Sequence, residues 1–368
     1  MRTIDHVIRA LHAIAPPKLA EAWDNVGLLL GDPRAPCDRV LVALETDLAL
    51  VRRAARQHAQ LLITHHPPIF TPVPRVTADE PAGKVLLAAA RAGLALAAAH
   101  TNYDVAPGGV SDVLADLLDL RGVEPLAPAD ASDAAKIVVF TPPGDLEAVL
   151  RALAGAGAGA VGRYSDCSFR VPGTGTFRAM DGAHPTVGRP GRREEVGELR
   201  VEALVPRALA AGAAAAARAA HSYEEPAIDV YPLVPTRPEL GMGRCGDLPE
   251  PARAAHLVER IKERLGVATV RVAGRLSRRV ERVAVCGGSG GKLAADALRR
   301  GCQLYLTGDV SHHEALDAAA GGLVVVDAGH AATEAPAIPV LARRLAQACP
   351  TVRITAMRAK PAGPFCTV

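Results

Sequence analysis

Aromatic side chains are scarce in this chain: they make up 3% of 368 residues, with a single tryptophan. A platform that stacks successive nucleic-acid bases needs several exposed rings, so that class of function fits poorly. An excess of charge of one sign is also missing. The formal net charge is +3, too small to argue for the electrostatic attraction that drives nucleic-acid binding. The seven cysteines are scattered, and none form a C-x-x-C pair. This argues against a disulfide framework or a zinc knuckle and points to a reducing, cytoplasmic setting. No apolar run reaches membrane-spanning length. The N-terminus lacks a signal-peptide pattern, because charges interrupt its apolar positions.

What is present is enough apolar residue for more than one core. Hydrophobic residues are 49% and charged residues 22%, the balance of a globular chain of two or three domains. Ile4, Val7, Ile8, Leu11 and Ile14 recur at helical spacing and predict an amphipathic helix that stops at Pro16-Pro17. The Trp23-Asp24-Asn25-Val26-Gly27 stretch reads as a turn, with Trp23 either in a core or at the wall of a site. Strand and helix patterns then alternate. Strands are expected at 39–44, 60–64 and 94–99, with helices at 47–58 and 82–92. Near-continuous apolar strands between helices predict a sheet covered on both faces.

The same order returns near the C-terminus, with strands at 282–286, 302–306 and 322–326 and helices at 292–300 and around 312–316. Setting Val40 on Val283 places Thr64 on Thr307, and setting Gly93 on Gly322 places His100 on Gly329. This is the signature of a diverged internal duplication. The expected fold is therefore α/β, with duplicated α/β halves over 1–128 and 241–368 forming one layered domain.

Ligands of open α/β sheets collect beyond the carboxyl ends of the strands. His65, His66, Asp104, Asp309 and His330 sit at or just past such ends. Glu334 would share a helix face with His330 at i, i+4. Imidazole and carboxylate together suit zinc, manganese, ferrous iron or cobalt, and a bridging carboxylate would let the set hold two divalent ions. Each residue alone is better explained as structural, whereas their convergence favours a metal site.

Five segments carry a family resemblance: W-D-N-V-G-L at 23–28, I-T-H-H-P at 63–67, H-T-N-Y-D at 100–104, T-G-D-V-S-H-H-E at 307–314 and D-A-G-H-A-A-T-E at 327–334. In this order they resemble the dinuclear-metal family labelled GTP cyclohydrolase 1 type 2 homologues, also called NGG-interacting-factor-three-like. The resemblance implies that His65, His66, Asp104, His330 and Glu334 are the metal ligands. It implies that Glu334 bridges two ions, with His65 and Asp104 on one and His66 and His330 on the other. It also implies a toroidal homo-hexamer and a small-molecule substrate, a nucleotide by the label.

Residues 129–240 differ in composition. Strands are expected at 136–142, 168–171, 175–178, 197–205 and 227–233, the second and third flanking a glycine-rich turn. Helices are expected at 145–154 and 207–220. This is the split βαβ, ferredoxin-like order. His221-Ser222-Tyr223-Glu224-Glu225-Pro226 is similar to a motif of the small trimeric PII-like and CutA-like proteins, which implies an inserted PII-like domain. The run Cys286-Gly287-Gly288-Ser289-Gly290-Gly291-Lys292 lacks the Walker spacing and is expected to be a tight turn allowing close packing, with phosphate recognition by its backbone N–H groups as the second reading.

Two functions follow as expectations. One is a hydrolase in which two divalent ions lower the pKa of a shared water, with His100, Asp309 or His313 moving a proton. The other is a non-catalytic metal-binding scaffold or sensor with a ligand-responsive insert.

Overall fold

The computed structural model describes residues 2–128, 134–162, 164–234 and 240–358. Cys366 and part of the expected junction around 129–133 lie outside the described residues. Close contacts divide the chain into one unit of Met1–Ala129 with Pro238–Val368 and another of Asp130–Arg237.

The larger unit is a mixed α/β structure containing two sheets. The first has the strand order Gly27–Leu30, Ala95–Ala98, Leu61–Thr64, Arg39–Ala43, Arg353–Ala356. All neighbours are parallel except the Gly27–Leu30 edge. The second runs Arg271–Ala273, Val324–Asp327, Leu304–Gly308, Arg279–Ser289, Gly241–Arg253, Arg121–Pro128. Its three central strands are parallel and the outer ones antiparallel.

The register repeats between the sheets. Val40 pairs with Leu61 as Val283 pairs with Leu304. Leu61 pairs with Ala95 as Leu304 pairs with Val324. These are the equivalences that the sequence alignment of the two stretches proposes.

The two stretches of chain nevertheless exchange elements. The first sheet takes its last strand, Arg353–Ala356, from the C-terminus, and the second takes Arg121–Pro128 from before the insertion. Helix Ala337–Ala348 buries Ile338, Leu341 and Leu345 against Val40, Val42 and Leu61 of the first sheet. Helix Val110–Leu117 buries Leu114 and Ala115 with Val283, Val285 and Leu304 of the second. Alternate strand residues face opposite ways, so Leu41 and Leu62 meet a different cluster, with Val51, Ala54 and Leu86. Both sheet faces are covered, which is why the strands read as unbroken apolar runs.

Helix Ile4–Ile14 is capped by Thr3, whose side chain accepts from the His6 N–H, and it buries the five apolar positions that its spacing marks. Residues 241–246, which carry no strand pattern, open a strand of 13 residues because they lie between two partners, Arg279–Ser289 and Arg121–Pro128. One expectation differs. The helix expected from Lys292 is a short 3-10 turn, Gly291–Leu293, followed by helix Ala294–Arg299. Among the described residues no helix is long and apolar enough to cross a membrane.

The smaller unit is a four-stranded antiparallel sheet in the order Phe169–Arg178, Arg193–Pro206, Ala134–Thr141, Ile228–Pro232. Helices Leu146–Gly155 and Arg207–Ala219 pack on one face around Ile137, Val139, Val149 and Ala213. The glycine-rich turn expected at 172–174 is absent. Residues 169–178 form one strand, because each pairs with the long neighbour from Glu202 to Arg193.

Candidate metal centre

His65 and His66 follow strand Leu61–Thr64, whose neighbours hold their backbones: the His65 N–H donates to Ala43 O and the His66 N–H to Leu44 O. A short helix, Thr101–Val105, starts where strand Ala95–Ala98 ends and carries Asp104. From the second sheet, strand Val324–Asp327 leads into helix His330–Glu334. Its two end residues share a face, with His330 Nε2 3.2 Å from Glu334 Oε1. The strand ends of both sheets therefore supply one cluster.

The distances are short. His66 Nε2 lies 3.0 Å from His330 Nε2 and 3.0 Å from Glu334 Oε2. His65 Nε2 lies 3.6 Å from both Asp104 Oδ1 and Glu334 Oε1. His65 and Glu334 are buried. Two sets of side chains converge closely enough to hold a metal ion, His65–His66–His100 and His66–His330–Glu334.

Each imidazole is oriented through its Nδ1. His65 Nδ1 is 2.8 Å from Ala99 O, His66 Nδ1 2.9 Å from Glu45 Oε1, and His330 Nδ1 2.6 Å from Asp309 Oδ2. A carbonyl or ionised carboxylate only accepts, so each Nδ1 carries a proton, which leaves Nε2 as the inward-facing nitrogen that a metal would take. Holding the outer nitrogen in this way is how proteins orient metal-binding histidines.

The cluster is left incomplete by its own groups. His65 Nε2 and Asp104 Oδ1 are buried without a hydrogen-bond partner, and the buried Glu334 Oε2 faces His66 Nε2 at 3.0 Å. Buried polar atoms are normally paired, because an unpaired one costs about 1–3 kcal/mol. Such atoms beside converging imidazole nitrogens fit a cation, and the imidazole–carboxylate chemistry fits a divalent metal. The electrostatics show the demand of this cluster for positive charge, which a proton or a metal ion on Nε2 of His66 and His330 can meet. Burial opposes protonation of His66, but hydrogen bonds and charge from Glu334 and Glu45 raise its pKa to about 10. The Glu334 hydrogen bond outweighs burial at His330 and raises it to about 9. Burial pushes Asp104 up to about 7 despite His65 nearby. Burial also disfavours the Glu334 carboxylate, yet the three surrounding histidines hold it well below the usual range.

The glycine run of the second half serves this cluster. Strand Arg279–Ser289 continues through it. Gly288 has φ +64°, and a Cβ there would collide with Glu334 Oε1. A side chain at Gly308 would come within 2.7 Å of the His330 backbone N. These glycines are close-approach positions for the helix bearing His330 and Glu334.

The site opens into a cavity of about 780 Å³. His100, Asp104, His66, Asp309, His330 and Glu334 all contribute to its wall. Trp23 is 59% exposed at this wall, its ring 5.7 Å from Phe70 and 6.1 Å from His100. His100 Nδ1 is 2.9 Å from Asp24 Oδ1. Asp24 also accepts from the Thr101 N–H and hydroxyl. His313 is not brought in. The Ser311–Glu314 capping box starts a helix there, and His313 lies exposed with its ring against His312. Sequence reasoning missed Asp24 and Glu45 as the groups that hold His100 and His66. Asp24 lies inside a noted motif, and Glu45 follows strand Arg39–Ala43 at the position equivalent to Gly288 in the second half. Phe70 and Lys292 also line the cavity, and nothing in their spacing marks them.

The profile of the family described as Duf34/NIF3 (NGG1p interacting factor 3) matches residues 2–362. A Halalkalibacterium halodurans protein named "GTP cyclohydrolase 1 type 2 homolog" is 40% identical over 324 residues, covering 88% of this chain and 87% of that protein. A Mycobacterium tuberculosis protein of the same name is 43% identical over 334 residues, covering 90% and 88%. The crystal structure of a Bacillus cereus protein related to NIF3 matches with a TM-score of 0.72 and 37% identity, covering 100% of this chain and 99% of that one. A Staphylococcus aureus structure matches with a TM-score of 0.81 and 25% identity over the same shares.

Proposed function

The chain belongs to the Duf34/NIF3 family, and from that premise we propose that it is a metal-dependent hydrolase with two divalent ions held by His65, His66, Asp104, His330 and Glu334. The observation that carries this reading is the pair of buried, unpartnered atoms, His65 Nε2 and Asp104 Oδ1, beside the Glu334 carboxylate. When bound, such ions polarise the scissile group and lower the pKa of water. Glu334, with Oε1 3.6 Å and 3.2 Å from the nitrogens of His65 and His330 and Oε2 3.0 Å from that of His66, would be the ligand shared by both ions. His65 and Asp104 serve one ion, and His66 and His330 the other.

The remaining residues position and move protons. Glu45 and Asp309 fix the rings of His66 and His330. Asp24 accepts from His100 Nδ1, which leaves His100 Nε2 free to take a proton from the nucleophile or return it to the leaving group. Trp23 and Phe70 form an aromatic rim that shields a substrate from water. The relatives' name supports GTP as the first substrate to try. The sequence resemblance supports a homo-hexamer, and scattered free cysteines support a cytoplasmic location.

The test is turnover of GTP by the metal-loaded protein, followed by mass spectrometry of the nucleotide, with light scattering for assembly. His66→Ala is expected to lower turnover at least about a hundredfold and leave the oligomer intact.

A second reading is a metal-binding scaffold or sensor. It is favoured by the smaller unit, whose β-α-β-β-α-β order and central position of strand Ala134–Thr141 suit a ferredoxin-like, PII-like insert. Metal and assembly without turnover of GTP or simple phosphoesters would favour it over the hydrolase.

A further inference from the structure

The smaller unit holds a second cavity, about 400 Å³ in volume, made only from its own residues. Its floor is the sheet face turned away from the two helices. Phe140, Phe177, Gly175 and Glu198 lie there on three neighbouring strands. Gly175 leaves room on this floor, and the Glu198 carboxylate folds over the strand into it. The roof is the loop after Arg178, with Ala183, Pro185 and Val187, and the turn from Tyr223 to Ala227.

Hydrogen bonds fasten this roof. The His184 N–H donates to Glu224 Oε1 at 2.9 Å, and the Thr186 hydroxyl donates to Ser222 O at 2.7 Å. The Ser222 N–H donates to Asp145 Oδ2 at 2.9 Å. His221 donates from Nε2 to Phe140 O and accepts at Nδ1 from the Tyr223 N–H. The cavity is therefore built into the unit by both its loop and its turn.

The chemistry of the lining is one-sided. Among the described residues its charged lining is Glu198, Glu224 and Glu225, with the exposed His184 ring 3.9 Å from Glu224 outside it. The Tyr223 hydroxyl is buried without a hydrogen-bond partner. Burial, together with the Glu198 charge, pushes Tyr223 up to about 12, so it stays a neutral phenol. The rest is apolar, with two phenylalanine rings whose faces attract cations. Arg200 already sits over the Phe140 ring at 5.7 Å, its Nε 2.9 Å from Glu202. Volumes of about 300–1,000 Å³ with an apolar lining and few polar groups are typical of small-molecule sites. Among the described residues, side chains converge closely enough for a metal ion only in the other unit. The carboxylates here stand apart, which suits a larger cation.

We propose that this cavity binds a small organic cation, an ammonium or guanidinium carried on an apolar or aromatic body. The charged end meets Glu198 and the Tyr223 hydroxyl, and the body lies against Phe140 and Phe177. Occupancy couples the turn that begins at His221 to the loop that closes over the sheet.

The test is titration of the full chain with phenethylammonium, phenethyl alcohol and 3-phenylpropionate, read by calorimetry and saturation-transfer NMR. Phenethylammonium is expected to bind, phenethyl alcohol more weakly, and 3-phenylpropionate not at all. Glu198→Gln, which keeps the shape, is expected to weaken phenethylammonium at least about tenfold. Tyr223→Phe removes one oxygen, is expected to weaken it about threefold, and gives the reading if thermal melting shows that Glu198→Gln is unfolded. Absence of phenethylammonium binding, equal binding of 3-phenylpropionate, or affinity unchanged in the folded variants would overturn the proposal.

Discussion

The two sheets of the larger unit repeat one strand register and do opposite jobs at the site. At the end of strand Leu61–Thr64 the first sheet carries His65 and His66; at the end of strand Leu304–Gly308 the second carries Gly308 and Asp309. Glu45 follows Ala43 in the first sheet, where the second has Gly288. The first sheet supplies bulky imidazoles. The second supplies glycines at the matching points, so that the helix carrying His330 and Glu334 can close in. A duplicated scaffold thus makes one asymmetric site, because side chains added on one side require room on the other.

Removing that room should break the comparison most severely. In Gly308→Val the new side chain meets backbone atoms of Gly329 and His330 at 2.7–2.9 Å, and backbone cannot swing aside as a side-chain tip can. The expected cost is about 3 kcal/mol, the upper end for overpacking, with loss of bound metal. Thermal melting and metal content check it, and an unchanged melting temperature would refute the close-approach role.

A milder pair of changes sharpens the comparison. Asp309→Asn and Glu45→Gln each keep size and remove the charge that holds one histidine, on the second-sheet and first-sheet sides respectively. Loss of such a partner typically costs about 10–100-fold in metal affinity. Asp309→Asn is expected to have the larger effect, because its contact to His330 is 2.6 Å against 2.9 Å for Glu45 to His66. Glu45 is also the more exposed side chain, at 62% against 50%, so water screens it more. Competition with a metal-chelating dye measures both. Equal, undetectable effects would show that ring orientation does not limit binding.

Much of this was legible in the sequence because strand ends are. An apolar run that stops at His65-His66 or at Asp327-Ala328-Gly329-His330 marks both the strand and the place where its ligands fall. The i, i+4 spacing of His330 and Glu334 placed both on one helix face. The register of the duplication was readable for the same reason, since a one-residue slip would turn every side chain to the other face.

What escaped depends on distant partners. Strand Gly241–Arg253 has glycine, proline and charge in place of an apolar alternation, and exists because strands on both sides pair with it. The 172–174 stretch looks like a turn locally, and only its long neighbour makes it a strand. Asp24 and Glu45 acquire their roles from rings that meet them through the fold. The exchange of Arg353–Ala356 and Arg121–Pro128 between the sheets leaves no local mark at all. His313 failed as a site residue because Ser311 and Glu314 commit it to an exposed helix start.

The central claim is that strand ends of the two sheets jointly hold a pair of ions through Glu334. Elemental mass spectrometry of protein purified without an affinity tag, beside its Glu334→Ala variant, tests it most directly. The account predicts two divalent ions per chain, falling to one or none in the variant while the melting curve stays cooperative. No stoichiometric metal in the unaltered protein, or the same metal content in both, would contradict it.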